Sequence, residues 1–215
     1  MVRSLGFNDI LFLFEGLKWT VYLSLIAFVC GSLAGLIIAL MRVSKFKSIW
    51  LPAWGYIEIF QNTPLLMQLF MVYYGVALFN WDISAWVAAA IGLTLHASAY
   101  LAEIWRGCIQ VIPRGQDEAA QSLGISFFHR MKDVILPQAF KISLPATVGF
   151  MVGLIKSTSL TAIIGFTELT RSGQVLSNNI YQPLMVYSMV GAVYFLLCWP
   201  LSHWSSTLER KMQHN

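Results

Sequence analysis

Between Trp19 and Met41 the chain carries no charged side chain, and four further stretches are nearly as strict. Ala53–Phe79 contains only Glu58, Ile83–Ala102 none, Ile142–Thr167 only Lys156, and Pro183–Thr207 none. A helix needs about 20 apolar residues to cross the hydrocarbon core of a bilayer. Strands of a membrane barrel would instead alternate in polarity over segments of about 10 residues. These runs are continuous, so the sequence predicts an all-α integral membrane protein with five transmembrane helices. They fall at about 19–41, 53–79, 83–102, 142–167 and 183–207, within a single membrane domain over 1–215. Charged residues make up only 11% of the chain, against roughly 25% in a soluble domain. That excludes a soluble enzyme, a disordered chain and a disulfide-rich secreted domain.

The basic residues then set direction. One set of loops holds Arg42, Lys45, Lys47, Arg106, Arg114, Arg130, Lys132, Lys141, Arg210 and Lys211, whereas the other holds Arg3, Lys18 and Arg171. The positive-inside rule predicts an outer N-terminus and a cytoplasmic C-terminus. The net charge of +4 is thereby assigned to cytoplasmic loops and not to nucleic-acid binding. In residues 1–18, Asp9, Glu15 and Lys18 interrupt the apolar core that a cleavable signal needs. Ile10, Phe14 and Leu17 share a helical spacing, which suggests an interfacial amphipathic helix before the first span. Cys30, Cys108 and Cys198 stand alone, as small apolar residues of packed helices do.

The longest loop, 106–141, reads RGCIQVIPRGQDEAAQSLGISFFHRMKDVILPQAFK. Asp117 and Glu118 sit where a helix dipole favours acids. Ala119, Ala120 and Leu123 recur at helical spacing, and Gly124 is a natural stop, free to take positive φ. Leu136-Pro137 is expected to open the next helix. The reading is a short cytoplasmic helix between spans 3 and 4, with small side chains suited to a partner's groove.

This loop resembles the EAA loop of the permease subunits of binding-protein-dependent ABC importers. The family pattern is Glu-Ala-Ala, three residues, Gly, nine residues, Ile, one residue, Leu-Pro. Here it runs Glu118-Ala119-Ala120, Gly124, Val134 in place of Ile, then Leu136-Pro137. IEIFQNTPLLMQLFMVYYG, ASAYLAEIWRGCIQVIPRGQDEAAQSLG, VILPQAFKISLP, LIKSTSLTAIIGFTELT and the terminal LERK extend the likeness over nearly the whole chain, towards the polar amino acid permeases of the histidine, glutamine and arginine type. Two departures stand out. Gln61 replaces an arginine that often precedes Asn-Thr-Pro, and Ser157 replaces a frequent aspartate.

The resemblance implies a multi-pass protein of the cell (inner) membrane that forms the translocation pathway for a polar L-amino acid. It implies a second permease, either another copy or a paralogue, two ATP-binding-cassette subunits and an extracytoplasmic amino acid-binding protein. Glu118, Ala119, Ala120, Leu123 and Gly124 would couple the chain to the ATPase. No G-x-x-x-x-G-K-[S/T] sequence is present. The chain is thus expected not to be an enzyme and to carry no cofactor, with ATP and Mg on the partner. The missing acid at Ser157 leans against a strongly cationic substrate.

A charge at membrane depth costs about 2.5–3.5 kcal/mol on insertion scales, so each asks for a reason. Asn62-Thr63-Pro64 breaks the second span. Pro64 removes one helix hydrogen bond, and the break is either a packed kink repaired by the Thr63 hydroxyl or part of a substrate site, with Gln68 facing the same cavity. Lys156, Ser157, Thr158 and Ser159 form a polar belt in the fourth span, assigned by the resemblance to the pathway. Small-residue packing is the alternative for the hydroxyls. Glu168 and Arg171 are candidate contacts for substrate or binding protein, and equally solvated loop charges. Glu58 suggests an inter-helix pair, Glu103–Arg106 an i,i+3 ion pair, and His96 a satisfied structural histidine. His129, His203 and His214 show no metal spacing with it. Trp19, Trp81 and Trp105 read as interfacial anchors. An ion-coupled secondary transporter or channel subunit is the competing function. It would use Lys156 and Glu58 for ion coupling and leave an organised cytoplasmic helix without a task.

Overall fold

The computed structural model describes residues 5–213. Arg3 and His214, named above, lie outside them. Nine α-helices follow one another and no strand occurs among the described residues. The first is α1, Phe7–Arg42, unbroken over 36 residues. At 1.5 Å per residue it is about 54 Å long, well beyond the hydrocarbon thickness. The expected separate amphipathic segment is therefore the first turns of the spanning helix itself. Its charges are settled locally: Asp9 accepts from the Gly6 amide (2.8 Å), and Lys18 pairs with Glu15 (2.7 Å).

The second predicted span is two helices, α2 (Lys47–Asn62) and α3 (Leu65–Ala77), separated at Thr63-Pro64. Next come α4 (Ala85–Val111), started by Ser84 accepting from the Val87 amide, and the short α5 (Arg114–Ser122). Gly124 stops α5 at φ +73°, in the left-handed region where only glycine is unstrained. The chain turns helical again at α6 (Phe127–His129), widens into π turns over Arg130–Ile135 and continues as α7 (Leu136–Ser157). Leu136-Pro137 opens α7, as the sequence suggested, but the chain is already helical in the π turns before it. The last turns of this segment, Thr158–Ile164, tighten to 3-10 geometry and end at Gly165 with φ +89°. The supposed outer loop is itself a helix, α8 (Leu169–Ile180), followed by α9 (Pro183–Gln213).

Four segments are each long and apolar enough to cross a membrane, namely α1, α4, the run Phe127–Ile164 and α9, while α3 is apolar but shorter. Packing depends on small residues. The buried stripe of α1, with Ala27, Gly31, Gly35 and Ala39, lies against α4. A Cβ on Gly31 would come within 2.6 Å of the Ala97 methyl, and one on Gly35 within 2.9 Å of the Ser98 carbonyl. Such close approach supplies the dispersion contacts that bind helices where lipid removes the hydrophobic drive. The central core joins Leu23, Leu69, Leu93, Leu154 and Phe166 from α1, α3, α4, α7 and the turn after it. A second core sets α8 between α1 and α9 through Leu13, Leu169, Leu176 and Val190.

Candidate functional site: the short helix α5 and the polar belt

α5 presents Glu118 and Ala119 to the outside, and Leu123, just past its end, is 79% exposed with Gly124 open beside it. Ala120 differs from the others: it is buried and packs inward. A contact that sequence reading did not find fixes the orientation of α5. Arg130, 9% exposed at the start of the π turns, pairs with Asp117 of α5 at 2.8 Å and lies over the Phe127 ring. The helix that faces outward is thereby tied to the segment that becomes α7. Nothing in the sequence spacing joins residues 117 and 130, because the two meet only when the chain reverses at Gly124.

At the break between α2 and α3, Pro64 lacks the amide that would reach the Phe60 carbonyl. Gln68 supplies the missing donor: its amide nitrogen donates to Phe60 O (2.7 Å), to Thr63 O (3.0 Å) and to Thr63 Oγ1 (3.0 Å). Thr63 in turn donates to Ile59 O (2.7 Å), and the Asn62 amide to Glu58 O (2.9 Å) and the Glu58 carboxylate (2.7 Å). Gln68 is buried and serves the backbone, not a cavity as expected, while Asn62, Thr63 and Pro64 are exposed. Glu58 makes no ion pair between helices among the described residues; its partner is Asn62, one turn along the same helix.

In the belt, the hydroxyls bond their own helix: Ser157 to Gly153 O, Thr158 to Ile155 O and Ser159 to Lys156 O, at 2.7–2.9 Å. Thr158 is fully buried, whereas Lys156 is exposed and has no ion pair among the described residues. Glu168 is neither a solvated loop acid nor open to a ligand. It is wholly buried and caps α8, accepting from the amides of Thr170 (2.8 Å) and Arg171 (2.9 Å) and from the Tyr194 hydroxyl (2.9 Å). Thr20 of α1 closes the cluster by accepting from the Leu169 amide at 3.1 Å. Burial holds the Glu168 carboxyl above the ordinary carboxylate range, against the pull of the donors around it. Arg171 reaches Gln174 (2.7 Å).

Other expectations divide. Arg106 forks onto Glu103 through two nitrogens, the predicted i,i+3 pair. Trp81 is 73% exposed, as an anchor would be, but Trp105 turns inward and donates to Thr147 of α7 at 3.0 Å. His96 lies against Phe150 and, tilted, against Tyr100, and its buried Nδ1 has no hydrogen-bond partner among the described residues, so it is a ring in an aromatic cluster and not a satisfied polar group. Thr20 and Tyr194 carried no signal as single polar atoms in apolar runs; only the buried acid opposite gives them a role.

Comparison with known proteins agrees with this architecture. Residues 31–214 match the family described as the inner membrane component of binding-protein-dependent transport systems. A probable amino-acid ABC transporter permease of Bacillus subtilis strain 168, YckA, is 33% identical over 98% of this chain and 93% of its own. The arginine transport permease ArtQ of the same organism is 34% identical over 95% of this chain and 94% of its own. Among solved structures, an amino acid ABC transporter with histidines superposes with a TM-score of 0.88 at 37% identity, over 97% of this chain and 100% of that one. The MetNI methionine ABC transporter in an inward-facing form shares the fold, with a TM-score of 0.82 at 18% identity over 96% of this chain and 99% of its own. With most of its length inside the family's boundaries and near full-length relatives beside it, this multi-pass membrane chain belongs to the family of inner membrane components of binding-protein-dependent transport systems.

Proposed function

We propose that the chain is the permease half of an amino acid ABC importer. It crosses the membrane five times, with α2 and α3 together making the second crossing, the N-terminus outside and the C-terminus in the cytoplasm. The placement of basic residues supports this direction. A second permease completes the pathway, an extracytoplasmic binding protein delivers a polar L-amino acid, and two ATP-binding-cassette subunits bind ATP and Mg and perform hydrolysis. α5 is the docking element, with Glu118, Ala119 and Leu123 facing the ATPase, Gly124 allowing close approach and Ala120 holding the helix to its own loop. The substrate pathway runs past the exposed Asn62-Thr63-Pro64 break and the Lys156–Ser159 belt. Gln68, Thr158 and Glu168 shape it from behind.

One observation carries the reading. A nine-residue helix with exposed Glu118 and Ala119, followed by an exposed Leu123, is fixed in place by the Asp117–Arg130 pair. A folded single chain gains nothing from presenting Leu123 to solvent, whereas a docking partner would cover it. The test is isolation of the tagged chain from its native host in mild detergent, with intact-complex mass and subunit identification. Two permeases with two ATP-binding-cassette subunits are expected. Recovery of the chain without an ATPase, under conditions that preserve a control importer, would overturn the reading in favour of an ion-coupled carrier or channel.

A further inference from the structure

An open groove of about 780 Å3 lies where α1 ends, the following loop enters α2, and α6 passes into the π turns. Its floor is apolar, with Leu40, Phe46, Ile49, Phe128 and Leu136 among the lining side chains. Phe46 and Phe128 are 71% and 68% exposed, so the chain itself does not cover them. Among the described residues, the charged side chains that line the groove are all cations: Lys45, Lys132 and Arg130. Arg130 is already matched by Asp117, but Lys45 and Lys132 are exposed and have no ion pair among the described residues.

Apolar floor, unmatched cations and position at the end of a spanning helix select one kind of occupant. A free inorganic anion would satisfy the lysines and leave the phenylalanines in water. An apolar chain alone would cover the floor and leave two charges uncompensated. We propose that the groove binds an anionic phospholipid of the cytoplasmic leaflet, its phosphate between Lys45 and Lys132 and an acyl chain over Phe46 and Phe128. Basic pockets between helices on the cytoplasmic side suit such headgroups, because the anionic leaflet faces them. The inference rests on the orientation proposed above. It also places the headgroup beside Arg130, the side chain that holds α5 through Asp117.

The experiment uses the transporter isolated with its partners, reconstituted in nanodiscs containing photoactivatable phosphatidylglycerol or phosphatidylcholine. Cross-linked peptides are then identified. The phosphatidylglycerol probe should label 40–49 and 127–136, and the phosphatidylcholine probe should label them little. Each lysine removed should weaken anionic-lipid capture about fivefold, from about 1 kcal/mol per basic residue near an anionic surface. Lys45→Gln with Lys132→Gln should therefore lose more than tenfold. Arg210→Gln with Lys211→Gln, which removes two charges from the end of α9, should lose nothing. If the double variant fails to assemble, Lys45→Gln alone should still show the single step. Equal labelling by phosphatidylcholine, an equal loss in the α9 variant, or capture of the groove by an ATPase or second permease would each overturn the proposal. Nanodiscs expose both leaflets, so this result is independent of sidedness. Labelling of Lys45→Cys from outside intact cells by an impermeant maleimide would overturn the orientation alone.

Discussion

The turn around Glu168 and the break around Pro64 both interrupt helices with polar residues, yet they are closed in opposite ways. At Glu168 the partners come from far along the chain: Thr20 of α1 and Tyr194 of α9 meet the cap of α8, and no atom of the carboxylate is exposed. At Pro64 the repair is local. Gln68, Thr63 and Asn62 bond atoms four to eight residues away, and the outer face of the break remains open. Long-range closure ties three helices into one body, while local closure ties only α2 to α3, through the Gln68 amide that spans the break. The first is thereby an anchor of the bundle, and under the proposed function the exposed face of the second borders the pathway.

The strongest challenge to that division is Glu168→Ala. It strands the Thr170 and Arg171 amides inside the protein and leaves the Tyr194 hydroxyl only the Thr170 hydroxyl at 3.2 Å, and each buried unpaired group costs about 1–3 kcal/mol. Unfolding in detergent should show a loss of about 3 kcal/mol or more, with little folded complex recovered. Linkage gives a finer test. A carboxyl held above its reference value of 4.5 binds its proton more tightly when folded. Its contribution is full below about pH 4.5 and is lost as pH rises through the folded value. Glu168→Gln should remove that slope. A Glu168→Ala chain as stable as the parent would dissolve the comparison.

The way these two regions relate to sequence is instructive. Apolar run length gave the spanning segments of α1, α4, α7 and α9, and Pro64 located the break. The stop at Gly124 was also readable, since positive φ and glycine go together. What could not be read was the state of each polar group. Glu168 and Lys156 both looked like charges along a pathway, but one is sealed by partners 26 and 148 residues away and the other is exposed. α8 was hidden for the same reason: its polar residues suggested an outer loop, while its buried stripe of Leu169, Gly173, Leu176 and Ile180 depends on α1 and α9 being beside it. The Asp117–Arg130 pair is likewise a product of chain reversal and not of spacing.

Gln68→Leu comes next in expected effect. It keeps the volume and removes the donor to Phe60 O and Thr63 O, a loss of about 1–2 kcal/mol in stability. If local repair serves transport, uptake should fall by more than the loss of folded complex explains, and substrate-stimulated ATP hydrolysis should fall with it. Gln68→Glu, which cannot donate when ionised, should behave like the leucine variant. A pure stability loss with normal uptake per folded complex would place the break with the anchors.

Gly124→Asp should cost less in folding, because no neighbour lies within 4 Å of the added Cβ and only the positive φ is strained. Aspartate tolerates that region better than most residues, so insertion should be normal. Uptake should nevertheless be lost, since a new carboxylate just past the end of α5, beside the exposed Leu123, changes the face that this element offers. Uptake assays alongside co-purification of the ATPase separate the two. Normal ATP-dependent uptake would remove α5 from the coupling path.

Lys156→Met is expected to change stability least. The side chain is exposed with no ion pair among the described residues, and substitutions at such sites usually stay within about 0.5 kcal/mol. A lysine within a spanning segment that the protein does not need for folding is costly to insert, so its use lies elsewhere. Uptake measured against substrate concentration should show a raised half-saturation value with maximal rate little changed, the pattern of a charge that meets substrate before translocation. If stability falls instead, Lys156 has a partner in the assembled permease pair and belongs with Glu168 among the anchors. Structural charges would then stand on both sides of the Thr158–Ile164 turn, Lys156 in α7 and Glu168 at the cap of α8.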